Sequence, residues 1–403
     1  MNIFAMQIPS NYEVFSIENV VGFLERDEII ESFKYKCSED ESSGSIDQCL
    51  GDLPSYEIDT TSNSNVVILG KMVSLTPYDD NTNWLEADFR CQFDTMSLET
   101  DTNILKSTTP YKNPLYDIGG NPSVTYDPIS KTFFRVCMSV NLDYQGGVIE
   151  VSSSQDEGET WSDWTIVTKF DGSGIPDKPW IRAVSGEVFV AYTDITIDEN
   201  HGIKSTAGLI KLGKGNNPQK VIVSDKIKNP VGASVGNSKN DTVVTYGTYQ
   251  GEVFFTNLKT QELVKLPIAY DEGPIITNIS QSGLFLTVTT SNPHSYGEAY
   301  MIQSSDGGES WGSPILITKN GHSLISSTDK EGRVTLLYNE KIGQSIKTIT
   351  QKSNIKKDIV TSDALSEAAY LGGYQSILTI DGNDNFFFYI HPKLNSCVKL
   401  YKD

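Results

Sequence analysis

Two carboxylates carry the most specific chemical suggestion in this 403-residue chain. Asp177 stands in DKPWI and Glu272 in DEGPI, each just before a proline that opens an apolar run. Two such groups facing one substrate can act as acid and base on a glycosidic bond, and their separation sets whether configuration is retained or inverted. Tyr374, in GGYQS, is the third catalytic candidate. Against this stands a count: with 52 Asp and Glu in the chain, two near one opening are expected by chance. Solvated rim residues are therefore the stronger reading. Chemistry on acidic sugars also needs arginines, whose rigid fork matches a carboxylate. Only Arg26, Arg90, Arg135, Arg182 and Arg333 are available. His201, His294, His322 and His391 show no ligand spacing, and Cys37, Cys49, Cys91, Cys137 and Cys397 form no C-x-x-C pair. No metal and no cofactor is expected, and an odd cysteine count leaves at least one thiol free in a monomer.

Charge narrows the partners. With 32 basic against 52 acidic side chains, the net charge of -20 disfavours nucleic acid and anionic lipid surfaces. No apolar run approaches the roughly 20 residues of a membrane span. Residues 1–65 hold 13 Asp and Glu against 3 Lys and Arg, half of the net charge. This acidic arm is expected to be a separate extension, 1–64, placed to contact a partner subunit. Within it, Ser16 could cap a short helix carrying Ile17, Val20, Val21 and Leu24, and 38–55 reads as a flexible linker. The start, MNIFAMQIPSNYE, lacks the basic region and long apolar run of a signal peptide, so the compartment stays open.

The elements that must position the candidate residues come as a repeat. Taking Pro122, Pro179, Pro230, Pro274, Ser323 and Tyr374 as anchors, the steps are 57, 51, 44, 49 and 51 residues. Each copy alternates apolar and polar positions, with Gly, Asn, Asp or Ser in the turns, as antiparallel hairpins require. After residue 66 nothing keeps helical periodicity. The expectation is an all-β fold, a β-propeller over 65–403 with six blades preferred and seven possible. The last copy shows only three strands, so an N-terminal strand must close the ring, and 65–75 is the expected donor. If residues 66–110 instead form a whole blade, the count becomes seven. Inner strands of a propeller begin at the axis, which gathers Asn121, Asp177, Lys178, Asp271, Glu272, His322, Tyr374 and Gln375 at one mouth. Of these, Asn121, Asp177, Lys178, His322, Tyr374 and Gln375 are the expected ligand contacts.

Two stretches are more specific than the repeat. SSQDEGETW and QSSDGGESW both fit S/T-x-D-x-G-x-T/S-W, on Ser154, Asp156, Gly158, Thr160, Trp161 and on Ser304, Asp306, Gly308, Ser310, Trp311. In a hairpin turn the carboxylate accepts turn amides, the glycine takes positive φ, and the indole plugs the space beneath. On these residues the chain resembles the sialidase-like, Asp-box (BNR-repeat) propellers. NPSVTYDP from Asn121, DKPWI from Asp177 and YLGGYQ from Tyr370 extend the resemblance over about 113–403. It implies that the two boxes are structural, lie between outer strands away from the channel, and that the protein works at an extracellular, cell or virion surface. Sialidases of this superfamily clamp the substrate with three arginines, the first in an R-I-P context that is absent here. The expected function is accordingly a non-catalytic propeller that recognises glycan or protein, or serves assembly at a surface. The alternative is a glycoside hydrolase acting at the channel mouth.

Overall fold

The computed structural model describes residues 48–50, 55–63, 65–75, 88–97, 105–143, 145–172, 174–197, 203–213, 217–221, 227–239, 241–268, 270, 273–292, 295–342, 345–353, 359–367, 376–380, 384–390 and 398–402. The proposed helix at 16–24 and Arg26 lie outside them. All the elements described are strands. A three-residue strand β1 (Gln48–Leu50) comes first. One four-stranded sheet holds β2 (Ser55–Ser62), β3 (Val66–Ser74), β4 (Phe89–Ser97) and β5 (Leu105–Ser107) in sequence order. The next holds β6 (Ile118–Asp127), β7 (Thr132–Val140), β8 (Gly147–Ser154) and β9 (Thr165–Phe170). It is followed by β10 (Gly174–Val184), β11 (Glu187–Ile197), β12 (Ile203–Leu212) and β13 (Pro218–Lys220), then by β14 (Pro230–Ser238), β15 (Asp241–Thr248), β16 (Val253–Asn257) and β17 (Glu262–Lys265). A seven-stranded sheet runs from β18 (Ile276–Ser282), β19 (Phe285–Ser291) and β20 (Gly297–Ser304) through β21 (Ile315–Thr328) to β22 (Val334–Ile342), β23 (Ser345–Ser353) and β24 (Ile359–Glu367). The last sheet has β25 (Ser376–Ile380), β26 (Asp384–Ile390), β27 (Val398–Lys402) and β1.

The sheets are thus five four-stranded blades and one seven-stranded sheet, not the six equal blades preferred from the repeat. The wide sheet arises because β21 is continuous over 14 residues: its first part pairs with β20 and its second with β22. It serves as the outer strand of one meander and the inner strand of the next. The inner strands β2, β6, β10, β14, β18, β21 and β25 touch in that cyclic order, and β25 returns to β2. This is a closed propeller.

Closure differs from the expectation in one respect. The strand that completes the C-terminal sheet is β1, paired Gln48↔Leu400 to Leu50↔Val398. The segment 65–75 instead sits as β3 between β2 and β4. Val66, Val67, Ile68, Leu69 and Val73 are all buried; as the second strand of a blade the segment has its backbone paired on both edges, by β2 and β4, with the next blade packed on its face. Residues 55–107 form a whole blade, as in the seven-blade alternative.

Neighbouring inner strands are sewn together by side-chain acceptors. Asp59 Oδ2 accepts the Val124 amide at 3.0 Å, Ser123 Oγ the Ile181 amide at 3.2 Å, Ser234 Oγ the Ile279 amide at 3.1 Å, and Asn278 Oδ1 the Ser326 amide at 3.4 Å. These amides would otherwise be unpaired at the axis, a cost comparable to a lost hydrogen bond. Away from the axis, a disulfide between Cys91 and Cys137 joins β4 to β7 across two blades.

Candidate ligand site at the central channel

One backbone device recurs where inner strands begin. Asn121, Lys178, Asn229 and Ser323 have φ of 49°, 50°, 47° and 54°. The ladder slips by one residue beside each, between Gly120 and Ser123, Asp177 and Trp180, Pro230 and Gly232, and His322 and Ile325. These are β-bulges, which bend a strand and re-aim a side chain. Asparagine tolerates the left-handed region; lysine and serine are rarer there.

Three of these bulge residues, Asn121, Lys178 and Ser323, line one cavity at the axis, with about 720 Å³ of empty volume counting the space open to solvent. Its walls are mostly apolar, from Pro122, Pro179, Trp180, Ile276, Leu324 and Ile325, with Thr277 and Asn278 adding polar groups. Trp180 is the largest of these side chains. The Arg182 guanidinium carbon stands 4.2 Å from the centroid of its ring. Arg182 in turn is held by Asp59 of another blade, at 3.0 and 3.1 Å through its two terminal nitrogens. Such a forked, mostly buried pair fixes the plane of the guanidinium, and the indole with it. The Trp180 Nε1 is buried with no hydrogen-bond partner. The indole nitrogens of Trp161 and Trp311 share that state beneath outer turns, whereas Trp180 is one of the residues lining the cavity.

The sequence-predicted mouth residues separate on inspection. Asn121 and Lys178 line the cavity. Asp177 is buried and does not: its Oδ1 accepts the Lys178 amide at 2.9 Å, and its Oδ2 lies 3.4 Å from Lys178 Nζ. His322 is buried as well, with Nδ1 2.6 Å from Ser323 Oγ and its ring 5.5 Å from that of Tyr296. Asp271, Glu272, Tyr374 and Gln375 lie outside the described residues. Trp180, Asn278 and Ser323 were not among the predicted contacts. Tyr249, half-buried near Lys178 and Asp177, was also missed; burial pushes its phenol up.

None of the described arginines lines the cavity. Arg90 is paired with Asp88 at 2.7 Å, and Arg333 with Asp329 at 2.6 Å and Glu331 at 2.9 Å. Arg135 is buried among Trp161, Trp164 and Phe93, its guanidinium carbon 4.2, 4.6 and 5.1 Å from their centroids. Desolvation there drives its pKa down to about 9. Beside it, Tyr111 Oη donates to Glu150 at 3.1–3.2 Å. A tyrosine beside a glutamate is the pairing that would make a nucleophile, but burial and the adjacent carboxylate push this phenol up, so it stays neutral. Glu150 belongs to β8, a third strand remote from the axis. Among the described residues no cluster of metal-ligating side chains occurs.

The two motif turns lie between β8 and β9 and between β20 and β21. In both, the serine hydroxyl donates to the aspartate at 2.8 Å and accepts the glycine amide, Ser154 from Gly158 at 2.9 Å and Ser304 from Gly308 at 2.8 Å. Asp156 and Asp306 also accept the amide and hydroxyl of Thr160 and Ser310. These bonds hold both carboxyls down at about 2. Each turn docks on the preceding blade. A Cβ on Gly158 would meet Ile68 and Thr95, and one on Gly308 would meet Phe255. Trp161 and Trp311 are partly buried in the clusters so formed.

No family model matches the chain, and no curated protein matches it. Solved structures do. The GH93 α-L-arabinofuranosidase of Fusarium graminearum, complexed with arabinobiose, superposes with a TM-score of 0.50 at 12% identity over 89% of this chain and 97% of that one. Trypanosoma rangeli sialidase, in complex with sialic acid, gives 0.49 at 11% identity, covering 90% of this chain and 59% of its own. The chain therefore spans about three-fifths of the sialidase's length. This protein has the sialidase-like β-propeller fold.

Proposed function

We propose that the protein is a recognition propeller that holds a neutral, hydroxylated ligand, an exposed sugar unit of a glycan, in the central cavity without cleaving its glycosidic bond. The observation that carries this reading is Trp180: an indole in the wall of an apolar cavity, backed by Arg182, which Asp59 holds. A sugar offers an apolar ring face for the indole and hydroxyls for Asn121, Lys178 and Asn278 beside it. A negatively charged ligand fits poorly, because the chain carries -20 net and the one cavity lysine is shared with Asp177. In this reading the Ser154–Trp161 and Ser304–Trp311 turns are the structural boxes of the fold, and Asn121 and Lys178 contact the ligand.

The alternative, hydrolysis of a glycosidic bond, draws support from the arabinofuranosidase likeness. It is weakened by Asp177, whose carboxylate is engaged by Lys178 rather than presented to the cavity. One experiment separates the two. The protein is screened on an array of neutral and acidic glycans and incubated with aryl arabinofuranosides and sialosides. Binding to neutral glycans, lost in Trp180→Ala, with no glycoside turnover is the expected result. Turnover abolished by Asp177→Asn would replace recognition with hydrolysis.

A further inference from the structure

The geometry points to Ser323 as a nucleophile toward acyl esters, with His322 as its general base; this rests on the cavity being the ligand site. The Ser323 hydroxyl oxygen lies 2.6 Å from His322 Nδ1, within the distance for proton transfer between a nucleophile and its base. Ser323 stands at the bulge that slips the ladder between His322 and Ile325, at φ 54°, and is a cavity-lining residue that is itself 2% exposed. The base is fixed too. His322 is buried, its ring lies tilted against that of Tyr296, and its backbone pairs with Asn339 across the ladder.

The cavity chemistry selects among reactions. Cleaving a glycosidic bond calls for a carboxylic acid to protonate the leaving oxygen, and among the described residues the lining includes no Asp or Glu. An ester calls for a nucleophile, a base that returns its proton to the leaving alkoxide, and donors for the oxyanion. Among the cavity-lining residues, Lys178 and Asn121 carry side-chain donors. With the ring proton on Nε2, His322 Nδ1 takes the Ser323 proton as the oxygen attacks the ester carbonyl. The carbonyl–alkoxide bond then breaks, and Nδ1 passes the proton to the leaving oxygen, releasing an alcohol and leaving an acyl-serine. Water attacks that ester, Nδ1 takes a proton from it, and the proton returns to Ser323 as the acid departs. The net reaction is ester plus water to acid plus alcohol. The substrate class is therefore an acyl ester on a neutral, hydroxylated ligand.

The test uses the full chain, an alkyl fluorophosphonate and p-nitrophenyl acetate. Ser323→Gly is the central variant, because glycine keeps the left-handed backbone without strain and removes only the hydroxymethyl group. The expected result is phosphonylation at Ser323, found by peptide mass spectrometry, and ester turnover that falls by about 10²–10⁴-fold in Ser323→Gly and in His322→Gln. Equal turnover in parent and Ser323→Gly, with Ser323 unlabelled, overturns the inference. Should neutral-glycan binding persist in that case, recognition stands without ester chemistry. Labelling of Ser323 in a protein that binds no neutral glycan supports the nucleophile and overturns the recognition reading instead.

Discussion

The outer turns and the channel bulges solve opposite problems with repeated parts. At the Ser154–Trp161 and Ser304–Trp311 turns nearly the same residues make the same bonds, serine to aspartate and aspartate to the following hydroxyl. At the bulges the backbone repeats while the side chain changes, from Asn121 to Lys178 to Asn229 to Ser323. Fixed residues on a fixed turn hold one blade on the next. A fixed backbone with varied residues instead presents different chemistry around one axis. On the recognition reading proposed above, the outer rim serves stability and the inner one selectivity, and substitutions in each should move one property and spare the other.

The largest expected effect is at the outer rim. Trp161 packs with Phe93, Phe133 and Val124 of two blades and carries the Arg135 guanidinium on its ring. Trp161→Ala removes the plug and strips a desolvated cation of one of its faces, and should cost about 3–5 kcal/mol, as large-to-small aromatic changes do. Chemical denaturation measures this. Ligand binding by the folded fraction should be unchanged; a variant of full stability that no longer binds would dissolve the distinction between the rims.

At the inner rim the matching change is Trp180→Phe. The phenyl ring keeps a flat apolar face beside Arg182 but is smaller than the indole. Loss of part of the stacking surface, about 1 kcal/mol, predicts a roughly fivefold weaker neutral-glycan affinity, read by titration calorimetry, with the melting temperature little altered. An unchanged affinity would mean that the sugar does not rest on this ring.

How much of each rim was legible follows from the same contrast. The outer turns are local: the bonds among serine, aspartate, glycine and the following hydroxyl residue all fall within eight consecutive positions, so both stood out as pattern. The bulges share a backbone dihedral, which Asn, Lys and Ser do not spell in common, and only the proline after Asn121, Lys178 and Asn229 left a trace. Trp180 could be seen in DKPWI, but its partner Asp59 is 123 residues from Arg182 and lay in the stretch read as an extension. The closing strand was hidden by its size. Three residues, Gln48 to Leu50, carry no periodicity, whereas 65–75 is long and apolar and attracted the role. The Cys91–Cys137 bridge spans 46 residues, close to one repeat, a spacing that becomes meaningful only once adjacent blades are known to pack.

Acid titration should distinguish the regions with smaller effects of opposite sign. Asp156 and Asp306 sit at about 2 in the folded protein, below their ordinary value of 3.8, because turn amides and hydroxyls favour the charged form. Their stabilisation is present above about pH 4 and is lost as pH falls toward 2; both are solvent-screened, so the loss is modest. Asp194 on β11 is the reverse case. Desolvation raises it to about 6, so its ionisation withdraws stability as pH rises from about 4 to 6. Asp156→Asn should flatten the acid limb of a stability–pH curve, and Asp194→Asn should stabilise above pH 6. Parallel curves for all three proteins would contradict these environments.

The smallest effect should come at Glu157, one of the three positions where the two outer turns differ. Glu157 occupies φ 60° where the second turn has Gly307 at 83°. A left-handed glutamate is strained, yet its Oε1 accepts from Asn63 at 3.1 Å and Asn65 at 2.6 Å on the preceding blade. Glu157→Gly relaxes the backbone in the folded state and removes both bonds, while giving the unfolded chain more freedom. These contributions oppose one another and are each about 1 kcal/mol, so the net change should stay within about 1 kcal/mol. The reciprocal change is not symmetric. A Cβ at Gly307 would stand 2.6 Å from Ser238 Oγ, the atom that donates to the Gly307 carbonyl at 2.6 Å. Gly307→Glu should therefore destabilise clearly more than Glu157→Gly in paired denaturation curves. Equal effects would show that the two turns dock on their neighbours in the same way, and that Glu157 is there for some reason other than its bonds to Asn63 and Asn65.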